Sequence, residues 1–238
     1  LELTTYYAGH VLGAVMVRVA AGGASLVYSG DFNASPNEVP GRASIPCLRP
    51  DLLVCEATYA NSERAGDRSA ERRFLQLVRE ATARGAKVLI PVMAFGAAQE
   101  MQLLIDDVCA RHRPDCPVCC SPGRVAKANL FHRLFPSWMG GAVADDAGAA
   151  AVPRRAPFRF AHVRPYERDA LHKPGPCVLF ATPHVLTAGL ALEAFRAWAG
   201  DEENLVLLPT ACAPSTVGHR LLAGKRELRL PGGPADSA

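Results

Sequence analysis

The chain has 238 residues, 49% of them hydrophobic and 21% charged, with a formal net charge of +3. That is apolar mass for one or two cores, and no apolar run approaches the roughly 20 residues that span a bilayer, so no membrane partner is expected. The slight positive charge permits a polyanionic partner without arguing for one. Arginines cluster locally at Arg68, Arg72, Arg73 and Arg79, and again at Arg154, Arg155 and Arg159; solvated faces account for both groups. The eight cysteines do not read as a disulfide framework in a chain of this length without a secretory signal. Cys116, Cys119 and Cys120 lack a second pair at zinc-finger spacing, and the last two read as apolar strand filler.

The first sixty residues read as short strands. Val15–Val19 and Ser25–Tyr28 flank Ala21-Gly22-Gly23, a hairpin signal. Leu52–Cys55, after Arg49-Pro50, reads as a buried strand. The texture then changes. Helical spacing over 65–84 puts Phe74, Leu77 and Val78 on one face, with Gly85 as C-cap. Residues 87–91 read as a strand, and 97–111 as a helix with Met101, Leu104, Ile105 and Val108 inward. Residues 117–120 form a short strand, and Ser121-Pro122 supplies the cap and first-turn proline of a helix to about Phe135. The Ala/Gly/Pro-rich stretch 140–157 reads as a loop. A strand at 177–182, a helix at 189–199, a strand at 205–209 and a helix at 215–223 complete the order. Strand–helix alternation at this spacing predicts an α/β domain with a parallel sheet flanked by helices. The expected division is a strand-rich piece over 1–60, an α/β domain over 61–223 and a disordered tail over 224–238. Both ends look cut from something longer.

Chemistry concentrates near the start. Ala8-Gly9-His10-Val11-Leu12-Gly13-Ala14 sets a histidine in a glycine-flanked turn before a strand, and Tyr28-Ser29-Gly30-Asp31-Phe32 sets an aspartate just beyond a second strand. Imidazole nitrogen and carboxylate oxygen are both good zinc donors. From spacing alone, a structural histidine and a turn-capping aspartate remain open alternatives.

Taken together, Tyr7–Ala14, Tyr28–Phe32 and Glu56-Ala57-Thr58-Tyr59 resemble three successive motifs of the metallo-β-lactamase/β-CASP RNA endonucleases. The likeness continues through Val88–Val92, Ala98-Gln99-Glu100, Phe180–Pro183, Trp198-Ala199-Gly200 and Gly218-His219, up to about Ala223. It is nearer to the Integrator-type branch, which acts on small nuclear RNA, than to the mRNA cleavage and polyadenylation branch. The resemblance implies the C-terminal strands of the first half of a metallo-β-lactamase αββα fold, followed by a β-CASP domain. It implies His10 as a zinc ligand, Asp31 as the carboxylate bridging two zinc ions, and Glu56 as a catalytic-site acid that supports a histidine near the leaving group. It also implies RNA as substrate, other subunits of an RNA 3′-end processing complex as partners (an inactive β-CASP paralogue among them), and a nuclear location.

The same resemblance places the first metal motif upstream of Leu1 and the last two histidine motifs past Ala238, so this stretch alone is expected to be inactive. Phe95-Gly96-Ala97 stands where the family has Leu-Gly-Arg, and His184 stands where it has glycine. Thr187 replaces a polar residue, while Pro209-Thr210-Ala211-Cys212 and Pro214-Ser215-Thr216 replace glycine-containing turns. The helix starts at Ser121/Arg124 and Ser215/Thr216 are candidate phosphate contacts, with plain helix capping as the alternative. An inactive scaffold or RNA-binding subunit is the competing function. A nucleotide-binding Rossmann-like module, suggested by the strand–helix alternation alone, is the third reading, and the lack of a G-x-G-x-x-G turn after a strand argues against it.

Overall fold

The computed structural model describes residues 1–34, 41–61, 67–112, 116–135, 158–228 and 230. The loop expected over 140–157, and the last eight residues of the expected tail, lie outside them. The chain divides into two compact units, Leu1–Gly66 with Leu130–Arg159, and Asp67–Asn129 with Phe160–Ala238.

The first unit carries a four-stranded sheet in the order β1-β2-β3-β4: Glu2–Tyr7, Val15–Ala21, Ala24–Tyr28 and Leu52–Val54. The first three strands are antiparallel, and β4 joins β3 in parallel. The Gly22-Gly23 hairpin lies where the sequence predicts it. In strand β1 the β-branched and aromatic run Thr4-Thr5-Tyr6-Tyr7 favours a pleated surface. Register puts Leu3, Val19, Leu26 and Leu52 in one cross-strand row and Thr5, Val17, Tyr28 and Val54 in the next, on the same face. Much of that row stands in solvent: Leu3 is 64% exposed, Leu52 55% and Tyr28 54%. The reading of Leu52–Cys55 as a buried strand is therefore corrected. The strand exists over Leu52–Val54, but it is an edge of the sheet and all three of its residues are exposed. On the other side, Met16 packs with Ala8, Ala43, Tyr6, Ala14 and Phe32 into a small core.

The second unit is built on a parallel sheet in the order β7-β6-β8-β5-β9, whose strands are β5 Lys87–Pro91, β6 Val118–Cys120, β7 Val163–Pro165, β8 Cys177–Ala181 and β9 Leu205–Val206. Its helices are α1 Asp67–Ala83, α2 Ala97–His112, the part of α3 Arg124–Leu134 that precedes Leu130, α4 Gly189–Trp198 and α5 Val217–Leu222. The short β7, missed from sequence, is preceded by a segment whose ordering comes from a distant side chain, described below. Strand β8, and strand β5 after Lys87, are apolar on consecutive residues because both their faces are covered. Alternate residues separate cleanly. Val88, Ile90, Val118, Val178 and Phe180 meet Val78 and Ala81 of α1 and Ile105 and Cys109 of α2. Leu89, Cys119, Cys177 and Leu179 meet Ala191, Ala194, Phe195 and Trp198 of α4. Leu228 and Leu230 also pack against this second cluster. No helix among the described residues is long and apolar enough to cross a membrane.

Helix α2 buries a polar stripe as well as its apolar one. Gln99, Gln102 and Asp106 are all buried. Gln99 Nε2 donates to Ala94 O at 3.0 Å and to Asn129 Oδ1 at 3.2 Å, and Asn129 Nδ2 donates to Gln102 Oε1 at 2.7 Å. The Asp106 carboxylate accepts from the backbone N–H groups of Ala161, His162 and Val163 at 3.2, 2.6 and 3.1 Å, fixing the entry to β7. Ion-like acceptors gain most from such donors when water is excluded.

Candidate active site

The His10 loop follows directly from the end of β1. Ala8 N donates to Ala14 O at 3.1 Å, closing the loop on itself. Asn33 N donates to Ala8 O at 2.8 Å, Ala43 N to Asn33 O at 2.7 Å and Ser44 N to Tyr7 O at 2.9 Å, so three chain segments are laced together beneath His10. Gly9 makes this possible. It sits at φ +66°, and a Cβ there would collide with Ala43 N, with Asn33 O at 2.6 Å and with Gly41 O at 2.7 Å.

Asp31 is presented by the turn after β3. Ser29 N donates to Val54 O at 2.9 Å, and Ser29 Oγ accepts from Glu56 N at 3.1 Å. Glu56 Oε1 accepts from Phe32 N at 3.1 Å, so the turn Gly30-Asp31-Phe32 is clamped from both ends by the segment after β4. The Glu56 carboxyl lies below its ordinary range. The Thr58 side-chain hydrogen bond contributes most, followed by the Phe32 N–H, with the charge of His10 adding to them and burial opposing.

His10 Nε2 lies 3.8 Å from Asp31 Oδ2, with the two side chains 46% and 69% exposed. The structure thus brings together His10 and Asp31, with Glu56 close enough to His10 to sense its charge. Zinc donors at tetrahedral angles sit about 3.3 Å apart, so these two atoms need close by only a few tenths of an ångström to share an ion. Among the described residues no group of three or more His, Cys, Asp or Glu side chains could hold a metal. The donor pair fits one edge of a zinc polyhedron, and a firm site requires at least one further protein donor.

The other sequence-nominated residues belong to the second unit. Ser121 is 3% exposed, and its Oγ accepts from Thr182 N at 3.1 Å. Its expected role as the cap of α3 is corrected: the hydroxyl ties β6 to the residue after β8, and the helix begins only at Arg124, which is exposed. Thr216 caps α5 as expected, with Oγ1 accepting from His219 N at 3.2 Å and donating to Ala213 O at 2.7 Å. Ser215 Oγ donates to Pro214 O at 2.6 Å. The capping alternative therefore accounts for the Thr216 hydroxyl, and a local contact for that of Ser215. Sequence reasoning missed Ser29 and Thr58, whose only local signal is that each lies within two residues of a nominated acid.

A strand-paired sheet that presents a His–Asp pair on its turns, and a parallel sheet flanked by helices, define part of a metallo-β-lactamase fold followed in sequence by a β-CASP domain. The chain belongs to the β-CASP family, residues 98–221 matching the family's Beta-Casp domain. It is 43% identical over 232 residues to Integrator complex subunit 11 of Gallus gallus, a match covering 98% of this chain and 38% of that protein. It is 44% identical over 225 residues to cleavage and polyadenylation specificity factor subunit 3-II of Arabidopsis thaliana, covering 94% and 36%. It is 40% identical over 223 residues to the Integrator complex subunit 11 homolog of Dictyostelium discoideum, covering 93% and 29%. The chain thus spans less than two-fifths of the length of these relatives.

Proposed function

We propose that this chain forms part of a zinc-dependent RNA endonuclease of nuclear RNA 3′-end formation, acting on small nuclear RNA within an Integrator-like complex. The observation that carries the reading is the approach of His10 Nε2 to Asp31 Oδ2 at 3.8 Å, on two turns that separate strands deliver to one place. His10 would hold one of two zinc ions, and Asp31 would bridge both. When bound, zinc acidifies water to a pKa near about 7 and offsets the charge of a phosphodiester undergoing in-line hydrolysis. The chain's own residues do the positioning. Glu56 holds the Phe32 N–H, and so the Asp31 turn, behind the pair.

RNA phosphate is the anion expected at Arg124 and at the Ser215-Thr216 turn. Ser121, whose hydroxyl is committed to Thr182, contributes by holding that end of the sheet in place. The partners are RNA and the other subunits of the processing complex, an inactive β-CASP paralogue among them. With only these two donors brought together among the described residues, the stretch 1–238 is inactive by itself. The competing reading, an inactive scaffold or RNA-binding subunit, draws on the altered turns at Phe95–Ala97 and Pro209–Cys212. Retention of His10, Asp31 and Glu56 weighs against it.

The test is zinc content and RNA cleavage of the full-length protein, wild type against His10→Ala and Asp31→Ala. Bound zinc and cleavage should fall together in both variants. Zinc and cleavage unchanged in both would overturn the site. Zinc retained without cleavage in the wild type would favour the scaffold.

A further inference from the structure

The parallel sheet of the second unit changes direction between β5 and β8. From β5 the chain leaves through α2, on the face of Val88 and Ile90, and crosses β8 to reach β6. From β8 it leaves through α4, on the opposite face, and crosses β5 to reach β9. Connections that part in this way leave a crevice outside the carboxyl ends of the two strands, the place where open parallel sheets take their ligands.

The segment after β5 forms one lip of that crevice. Val92 is buried, and its N–H donates to Ala181 O at 2.8 Å. Met93 and Phe95 then stand in solvent, 54% and 41% exposed, while Ala94 between them packs on the core. Their backbone is held. Gln99, fully buried in the first turn of α2, donates Nε2 to Ala94 O at 3.0 Å and its N–H to Gly96 O at 3.0 Å. A thioether and an aromatic ring are thus kept out in water by a segment pinned at both ends. Across β8, Ser121 Oγ accepts from Thr182 N at 3.1 Å, and the chain after β6 presents the exposed Arg124. The carboxyl ends of β5 and β6 are two strand spacings apart, roughly 10 Å.

We propose that Phe95, with Met93 beside it, is a stacking surface for an unpaired RNA base at this crevice, and that Arg124 holds a backbone phosphate of the same strand. The inference rests on the RNA reading above and adds where the bases of the strand lie. An exposed ring offers its face to any base, so the contact selects single-stranded RNA without reading its sequence. An apolar pair this small falls far short of the buried core of a protein interface. A flat ring with a cation nearby matches the alternation of base and phosphate along a single strand.

The test measures binding of two probes to the full-length protein: a hydrolysis-resistant phosphorothioate oligoadenylate, and an abasic oligomer carrying the same number of charges. Phe95→Ala should weaken oligoadenylate binding about tenfold, the contribution of one stacked base, and leave binding of the abasic oligomer unchanged. Phe95→Tyr keeps the ring and should bind both as the wild type does, which separates stacking from a folding defect. Arg124→Gln should weaken both probes alike and lower the salt dependence of each. Undiminished oligoadenylate binding by Phe95→Ala would hand the exposed pair to a protein partner and overturn the proposal, as would an equal loss of the abasic oligomer. Either result in a protein that still binds zinc and cleaves RNA removes this inference alone. A wild type without zinc or cleavage, in which Phe95→Ala still loses oligoadenylate selectively, removes the nuclease reading and upholds the stacking surface.

Discussion

Glu56 accepts the Phe32 N–H at 3.1 Å across 24 residues of chain, and through that one bond it sets the turn that aims Asp31 at His10. Replacing the carboxylate by a carboxamide keeps the shape and removes the charge that faces His10. Glu56→Gln in the full-length protein should weaken zinc binding by about tenfold, as loss of a partner behind a ligand does. Zinc titration by competition with a chromophoric chelator measures it. Undiminished affinity would detach Glu56 from the site.

The same carboxylate makes a pH prediction. Its folded pKa lies below its ordinary value of 4.5, so folding favours the ionised form. Glu56 therefore contributes stability that is present above pH 4.5 and is lost as pH falls through the lower folded value. Thermal unfolding of wild type and Glu56→Gln between neutral and acidic pH should show a gap that narrows in acid. A gap that widens below pH 4.5 has the wrong sign for this contact.

Gly9 is the structural condition for the His10 loop. Gly9→Ala forces a left-handed conformation on a residue with a Cβ and drives that carbon into three backbone atoms that cannot swing aside. The expected loss is about 3 kcal/mol, combining backbone strain and overpacking. Urea unfolding at constant m-value reads it directly. A variant as stable as the wild type would mean that the loop is not packed as described.

In the second unit, Gly218 lies where a Cβ would meet Cys212 Sγ at 2.5 Å. Gly218→Ala should destabilise by about 2 kcal/mol. Cys212→Ala removes the obstructing sulfur, so the double variant should recover most of that loss, a coupling that a double-mutant cycle isolates. Additive losses would assign the glycine to some other constraint.

Asp106 holds three consecutive N–H groups ahead of β7. Asp106→Ala leaves those donors without their acceptor and should cost about 3 kcal/mol. Hydrogen exchange at residues 161–163 should accelerate more than at β5. Uniform acceleration across the sheet would point to global rather than local loosening.

The sequence by itself determined the elements whose code is local. The runs Val88–Pro91 and Cys177–Ala181 are apolar on consecutive residues, which suits a strand covered on both faces, and helices α1, α2 and α4 carry a 3.6-residue apolar spacing. Gly22-Gly23 marked the hairpin. His10 and Asp31 were legible because the motifs around them are recognisable, not because their spacing demands a metal. Only the tertiary structure decided the rest. It decided that His10 and Asp31 come within 3.8 Å, that Glu56 clamps the turn carrying Asp31, that the Ser121 hydroxyl serves Thr182, and that Leu52–Val54 form an exposed edge. The physical reason is common to all of these. Periodicity along a chain states which face a residue is on, whereas strand order and register state what it faces, and those are set by contacts between segments far apart in sequence.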